Sequence, residues 1–255
     1  MCNLLTAYCQ RLRKNKVFIG LLLFMILLAI IIPVIAHNEM ITYNKAYTLE
    51  SRFSWHLFII GIVIAIFSAW FLGTEYSDGT IRNKIIAGNS RTKIYLASLC
   101  ICVVGSLLLV ISHQIVLILM GTWLIAPFVL DITSVILLIV ISLLIAITFA
   151  SINTLFVLIN QNKASSAIIC LVVNILMLGI SFYVLSVLFS SGMAETDSII
   201  KSIYEFINLF LPTGQVFRLG SLDLTHATEM IIYDILICLF STGIGIAIFK
   251  KKDLK

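Results

Sequence analysis

The chain has 255 residues, of which 61% are hydrophobic and only 11% charged, against about 25% charged in a soluble domain. That balance excludes a water-soluble globular domain and places the chain in the membrane class. The net charge of +5 follows the loops between apolar runs, a pattern of membrane topology and not of nucleic-acid binding.

The first predicted element is amphipathic. In "LLTAYCQRLRKNK", Leu4, Leu5, Tyr8 and Leu12 recur at helical spacing. Arg11, Arg13 and Lys14 are placed to meet lipid phosphates, as in a helix lying on a membrane surface. A run long enough to span follows, Val17–Ala36, longer than the apolar region of a signal peptide. Five more runs approach the roughly 20 apolar residues that a spanning helix needs: Trp55–Leu72, Leu96–Met120, Ser134–Ile159, Ser166–Phe189 and Glu229–Phe249. The third and fourth are separated by "GTWLIAPFVLDIT", with Gly121, Pro127 and Asp131 as breakers. Between the fifth and sixth lies a long loop, 190–228. It contains "SIIKSIYEFINLFLP", with an apolar stripe (Ile200, Ile203, Ile207, Phe210), polar Lys201, Glu205 and Asn208, and Pro212 as its stop. The fold expected is all-α, one integral membrane domain over residues 1–255 with six spans.

Orientation follows from basic residues counted by loop. With six spans, thirteen Lys and Arg fall on one side, among them Arg11, Arg82, Lys163 and the tail Lys250, Lys251, Lys252 and Lys255; four fall on the other, Lys45, Arg52, Lys201 and Arg218. Both termini are therefore expected in the cytoplasm. Glu39, Glu50, Asp131, Glu195, Asp197, Glu205, Asp223 and Glu229 gather on or near the opposite side.

Catalytic signals are absent. No GxxxxGK[ST] phosphate loop exists, and Gly-Lys never occurs as a dipeptide. HExxH and GxSxG are missing as well. The six cysteines, Cys2, Cys9, Cys100, Cys102, Cys170 and Cys238, show no CxxC pairing and read as small buried hydrophobes. His37, His56, His113 and His226 are scattered. No catalytic residue, metal site or cofactor is expected in this chain.

One charged block interrupts the hydrocarbon: "GTEYSDGTIRNKIIAGNSRTKIY", Gly73–Tyr95. It reads as a turn at Asp78–Gly79, then two short helices, "IRNKIIAG" and "RTKIYLAS", broken by "AGNS", with Gly88 as C-cap and Ser90 as N-cap, the second helix running into span three. Such a block suits either a docking surface for a soluble partner or an ordinary basic loop. Glu75-Tyr76, Gly79-Thr80, Arg82, Gly88 and Arg91 resemble the signature of type-2 ATP-binding-cassette exporter permeases, in which an acidic-aromatic pair ends the second span. One departure from the family pattern is Ser98, in a region where many members of that family carry a further Lys. The resemblance implies a six-span permease paired with a second copy or a related permease. Separate ATPase subunits, which alone bind ATP and Mg, would dock on the cytoplasmic block through Glu75, Tyr76, Asp78, Gly79, Thr80, Arg82, Lys84, Gly88, Arg91 and Lys93. Its small size is most similar to the branch that exports peptides: bacitracin- and lantibiotic-resistance and phenol-soluble-modulin exporters of bacterial plasma membranes. The implied substrate is an amphipathic peptide; drug or lipid export is the alternative.

Polar groups inside the spans are candidate pathway residues. Asp234 is expected shallow enough to meet interfacial water, and His113 lies near the outer end of span three. Asn153 and Asn174 are deeper and suited to interhelical hydrogen bonds. A proton-coupled secondary transporter using Asp234 and His113, or a non-transporting membrane scaffold, are the readings from other classes.

Overall fold

A computed structural model describes residues 2–44, 46–189 and 198–252. Lys45, Glu195, Asp197 and Lys255 of the charge count, and residues 190–197 of the fifth-to-sixth loop, lie outside these. Six helices among the described residues are long and apolar enough to cross a membrane.

Helix α1 (Cys2–Lys14) ends one residue before α2 (Lys16–Tyr43). Asn15 separates them and caps α2, its Oδ1 accepting from the Phe18 amide at 2.9 Å. Pro33 sits inside α2, as spanning helices tolerate. A short α3 (Leu49–Phe53) leads to α4 (Leu57–Ser77), then α5 (Thr80–Ile86) and α6 (Arg91–Leu124). The 34 residues of α6 rise roughly 50 Å, well beyond a hydrocarbon core of about 30 Å. The apolar run 96–120 therefore marks only its middle.

Helices α7 (Ile132–Asn160) and α8 (Lys163–Leu188) follow, each capped by an Asx side chain: Asp131 accepts from the Ser134 amide at 3.3 Å, and Asn162 from the Ala164 amide at 2.9 Å. Of the expected breakers between spans three and four, Asp131 acts as one and Gly121 does not. Gly121 lies within α6, where an added Cβ would come within 2.3 Å of Leu49 Cδ1; its lack of a side chain admits α3.

The loop expected over 190–228 is largely helical where described. It holds α9 (Ser198–Phe210) and α10 (Pro212–Gly220), then α11 (Ala227–Lys251). Pro212 both ends α9 and starts α10, a first-turn position that needs no amide donor. Helix α10 is sunk into the bundle: Thr213 Oγ1 donates to Met177 O of α8 at 2.9 Å, and Gln215 Nε2 to Leu209 O at 3.0 Å. A Cβ on Gly214 would lie 2.1 Å from Asn208 O, so the α9–α10 corner closes only around glycine. Asn208, expected on a polar exposed face, is buried by that corner.

Helix α4 is the interior element. It packs most extensively on α8 and α7 and is buried almost all round. Helices α2, α8 and α11 keep broad apolar surfaces. Contacts place α1, the α4–α5 turn, the start of α6 and the end of α11 together on one face, hereafter the terminal face.

Candidate functional site

The centre of the terminal face is a buried carboxylate. Glu75 sits in the last turns of α4 and is 1% exposed. Its Oε1 accepts from Arg11 Nη1 of α1 and, at 2.7 Å, from Lys84 Nζ of α5. Its Oε2 accepts from the Tyr8 hydroxyl at 2.9 Å. Tyr8, having donated there, accepts in turn from Ser98 Oγ of α6 at 2.8 Å. Arg11 also donates to Phe71 O at 2.8 Å and to Thr74 Oγ1, and lies over the Phe71 ring at 4.7 Å. Four helices thus converge on one anion, and a buried charge so satisfied is costly to leave half-paired.

Electrostatics follow from that burial. Desolvation first, then the Glu75 charge, pushes the Tyr8 phenol well above its ordinary range. Desolvation pulls the Lys84 ammonium down, with Glu75 opposing it. Lys84 Nζ also lies 3.9 Å from the centroid of the Tyr8 ring.

Around this hub the local chain is shaped by two left-handed residues. Gly79 (φ 64°) turns α4 into α5 and Gly88 (φ 84°) terminates α5, conformations that glycine adopts without a Cβ penalty. Thr80 Oγ1 donates to Glu75 O at 3.1 Å, fastening the turn. Ser90 caps α6 by accepting from the Lys93 amide. Asp78, Gly79, Arg82, Gly88 and Lys93 are exposed, while Thr80 and Lys84 are half-buried.

Three expected roles change. Glu75 and Tyr76 do not face outward: Glu75 is the hub, and the half-buried Tyr76 donates its hydroxyl to Leu158 O of α7 at 2.6 Å. Arg11 turns inward and pairs with the desolvated Glu75 carboxylate, while Arg13 and Lys14 are exposed. Arg91 does not project from the face: its Nη1 donates to Lys250 O at 2.9 Å and to Lys252 O at the end of α11. A cation disfavoured at the N-terminus of α6 is favoured at the C-terminus of α11.

What remains exposed on α5 is compact. Arg82 and Ile86 stand four residues apart, on one side of the helix, and Ile86 is 76% exposed. Ile86 was not among the residues expected at the site. Ile85 and Ile86 are adjacent in "IRNKII", and the inward side of the short helix is taken by Ile81 and Ile85, four residues apart, which leaves Ile86 outside.

The intramembrane polar residues form separate pairs. Asn174 Nδ2 donates to Asn153 Oδ1 at 2.9 Å between α8 and α7, as expected. His113 is fully buried, its ring stacked on His56 at 4.1 Å, a partner that scattered histidines could not suggest. Asp234 does not meet interfacial water. It is 0% exposed, and its Oδ1 accepts from Thr148 Oγ1 of α7 at 2.9 Å, because it lies on the side of α11 that packs on α7. No cluster of three metal-ligating side chains occurs among the described residues.

Residues 4–178 match the model of a family described as "ABC-2 family transporter protein". The matched stretch runs from α1 into α8, and so contains the Glu75 hub and the exposed tip of α5. No curated protein matches the chain.

Proposed function

This chain belongs to the ABC-2 family of transporters, and from that premise we propose that its α5 tip is the seat of a separate ATP-binding-cassette ATPase. The chain is a membrane-spanning permease subunit; the partner binds and hydrolyses ATP with Mg. The observation that carries the docking assignment is Ile86, 76% exposed beside Arg82 on a helix fixed to α1, α4 and α6 through Glu75. Arg is enriched among interface hot spots, and burying an exposed isoleucine beside it against a partner is favourable by the hydrophobic effect. The Glu75 hub makes α5 rigid against three other helices, so force applied at Ile86 moves them as one body.

Two copies of the chain pair in this proposal, in a bacterial plasma membrane with both termini in the cytoplasm. The substrate is an amphipathic peptide, and its exit lies along α8 and α9. Support comes from the exposed stripe Ile200, Ile203, Phe206 and Phe210 on α9. Helix α4 is interior and is left out of it. Asp234 accepts from Thr148 and His113 stacks on His56, two separate pairs, which gives no support to a proton-coupled route.

The test is reconstitution. The purified chain should not hydrolyse ATP, and should restore substrate-stimulated turnover to its ATPase partner in vesicles. Substitution Ile86→Asp should abolish co-purification of the ATPase while leaving the permease folded. Normal assembly with Ile86→Asp would remove α5 as the docking site.

A further inference from the structure

A groove of about 620 Å³ opens on the terminal face between the end of α4 and the α7–α8 turn. Trp70, Tyr76, Gln161, Lys163, Ala167 and Ile168 are among the residues that line it. Its shape depends on Gly73: a Cβ there would come within 3.1 Å of Lys163 Cα, so glycine lets the first turn of α8 close on α4. Gln161, left-handed at φ 56°, turns the chain into α8. Helix α4 continues four residues past that contact, to Ser77, and forms the groove's floor.

The chemistry of the groove is split. At one end stands Lys163, its Nζ 4.7 Å from the Trp70 ring centroid. Five other cations find oxygen partners, Arg11 and Lys84 on Glu75, Arg52 on Glu39, Arg91 on the end of α11 and Arg218 on Asp223, while the half-buried Lys252 makes no ion pair among the described residues. Among the described residues Lys163 has no such partner. From this end an apolar track leaves along α8: Ile168, Val172 and Ile175 are all exposed, at the spacing of one helix face. Cation at the end, hydrocarbon along the wall, and tryptophan between them match an amphiphile with an anionic head.

We propose that this groove binds one anionic phospholipid from the leaflet on the terminal face. Lys163 pairs with the headgroup phosphate, Trp70 sits at the level of the glycerol, and an acyl chain follows Ile168, Val172 and Ile175. Zwitterionic choline lipids fit less well. The ring face that would hold a quaternary ammonium is already covered by Lys163, and a second cation beside it is repelled. The inference does not rest on the transport reading and stands or falls apart from it.

The test uses Trp70 as reporter. Trp55→Phe with Trp123→Phe leaves Trp70 the only tryptophan among Trp55, Trp70 and Trp123. The full chain is placed in phosphatidylcholine bilayers, and quenching is followed against the mole fraction of brominated phosphatidylglycerol or brominated phosphatidylcholine. One lysine at the membrane surface predicts a preference of about fivefold for phosphatidylglycerol. Lys163→Gln should bring that preference close to one, and Lys163→Arg should keep it. Unchanged circular dichroism and gel-filtration profiles show that the variants fold. Equal quenching by the two lipids, or a preference that survives Lys163→Gln, would make this ordinary annular lipid and overturn the proposal. Millimolar inorganic phosphate should leave quenching by phosphatidylglycerol intact; its relief by phosphate would assign a free-anion site instead.

Discussion

Removing Arg91 should loosen the last turn of α11 and leave the start of α6 in place. Arg91 is the first residue of α6, yet its guanidinium serves the carbonyls of Lys250 and Lys252. A cation at a helix C-terminus contributes about 0.3–1 kcal/mol, and hydrogen bonds from a charged donor contribute about 1.5–3 kcal/mol where they are shielded from water. Arg91 is only half-buried, so Arg91→Ala should cost about 1–2 kcal/mol. The fold should survive, because Tyr95 still packs on Phe249 at 6.1 Å and still fills the space above Gly245, where a Cβ would lie 2.0 Å from its hydroxyl. The readout is amide hydrogen exchange. The Lys252 amide, bonded to Ile248 O at 3.1 Å, should exchange about 5 to 30 times faster in Arg91→Ala. Exchange of the Ile94 amide, bonded to Ser90 O at 3.1 Å, should not change. Lys93→Ala, at an exposed neighbour, is the control and should alter neither. Unchanged exchange at Lys252, or the same acceleration in the control, would refute the capping of α11 by Arg91.

Further expectations attach to other parts of the terminal face and its opposite. Glu75→Gln should leave Arg11 and Lys84 without their anion and lower thermal stability by a few kcal/mol, read as a fall in melting temperature and as cleavage by trypsin near Arg11. Lys93→Glu is the charge reversal that tests docking without disturbing α11, and it should weaken ATPase co-purification in a salt-dependent way; salt-independent binding would separate Lys93 from the interface. Gly245→Leu should collide with Tyr95 and reduce the yield of folded protein, whereas Gly243→Leu, where a Cβ meets nothing within 4 Å, should not. On the opposite face, burial alone would raise the Asp223 pKa, but bonds from Thr225 and the Arg218 charge bring it below its ordinary value. A lowered folded-state pKa contributes stability above the unfolded value that is lost as pH falls through the folded one. The advantage of wild type over Asp223→Asn should therefore be present at neutral pH and fade below pH about 4.

The spans were legible because lipid imposes a simple rule: about 20 apolar residues with every backbone group bonded within the segment. The turns of the charged block were legible for a comparable reason, since Gly79 and Gly88 take left-handed conformations that few residues other than glycine adopt readily. What sequence did not disclose is which polar side chain meets which. Tyr8 reads as one member of an apolar stripe, and only its distance from Glu75, 67 residues along the chain, makes it part of the hub. Arg91 reads as a free cation because the carbonyls it bonds lie 159 and 161 residues away. Helix α10 was hidden for a different reason. Its sequence, PTGQVFRLG, is polar enough to read as a loop, and its burial is supported by Thr213 Oγ1 donating to α8 and Gln215 Nε2 donating to α9. Ile86 shows the converse, an apolar residue whose exposure no local pattern announces.

The most direct measurement of the central claim is a contact map of α5 in the cell. A benzophenone amino acid placed at Ile86 should cross-link, on illumination, to a protein that carries a phosphate-loop ATPase sequence. The same group at Trp123, exposed at the far end of α6, should not. Cross-linking to that ATPase from Ile86 alone is the predicted result. An Ile86 probe that captures only lipid, while the ATPase is captured from another surface or not at all, would contradict the assignment of α5 as the docking element.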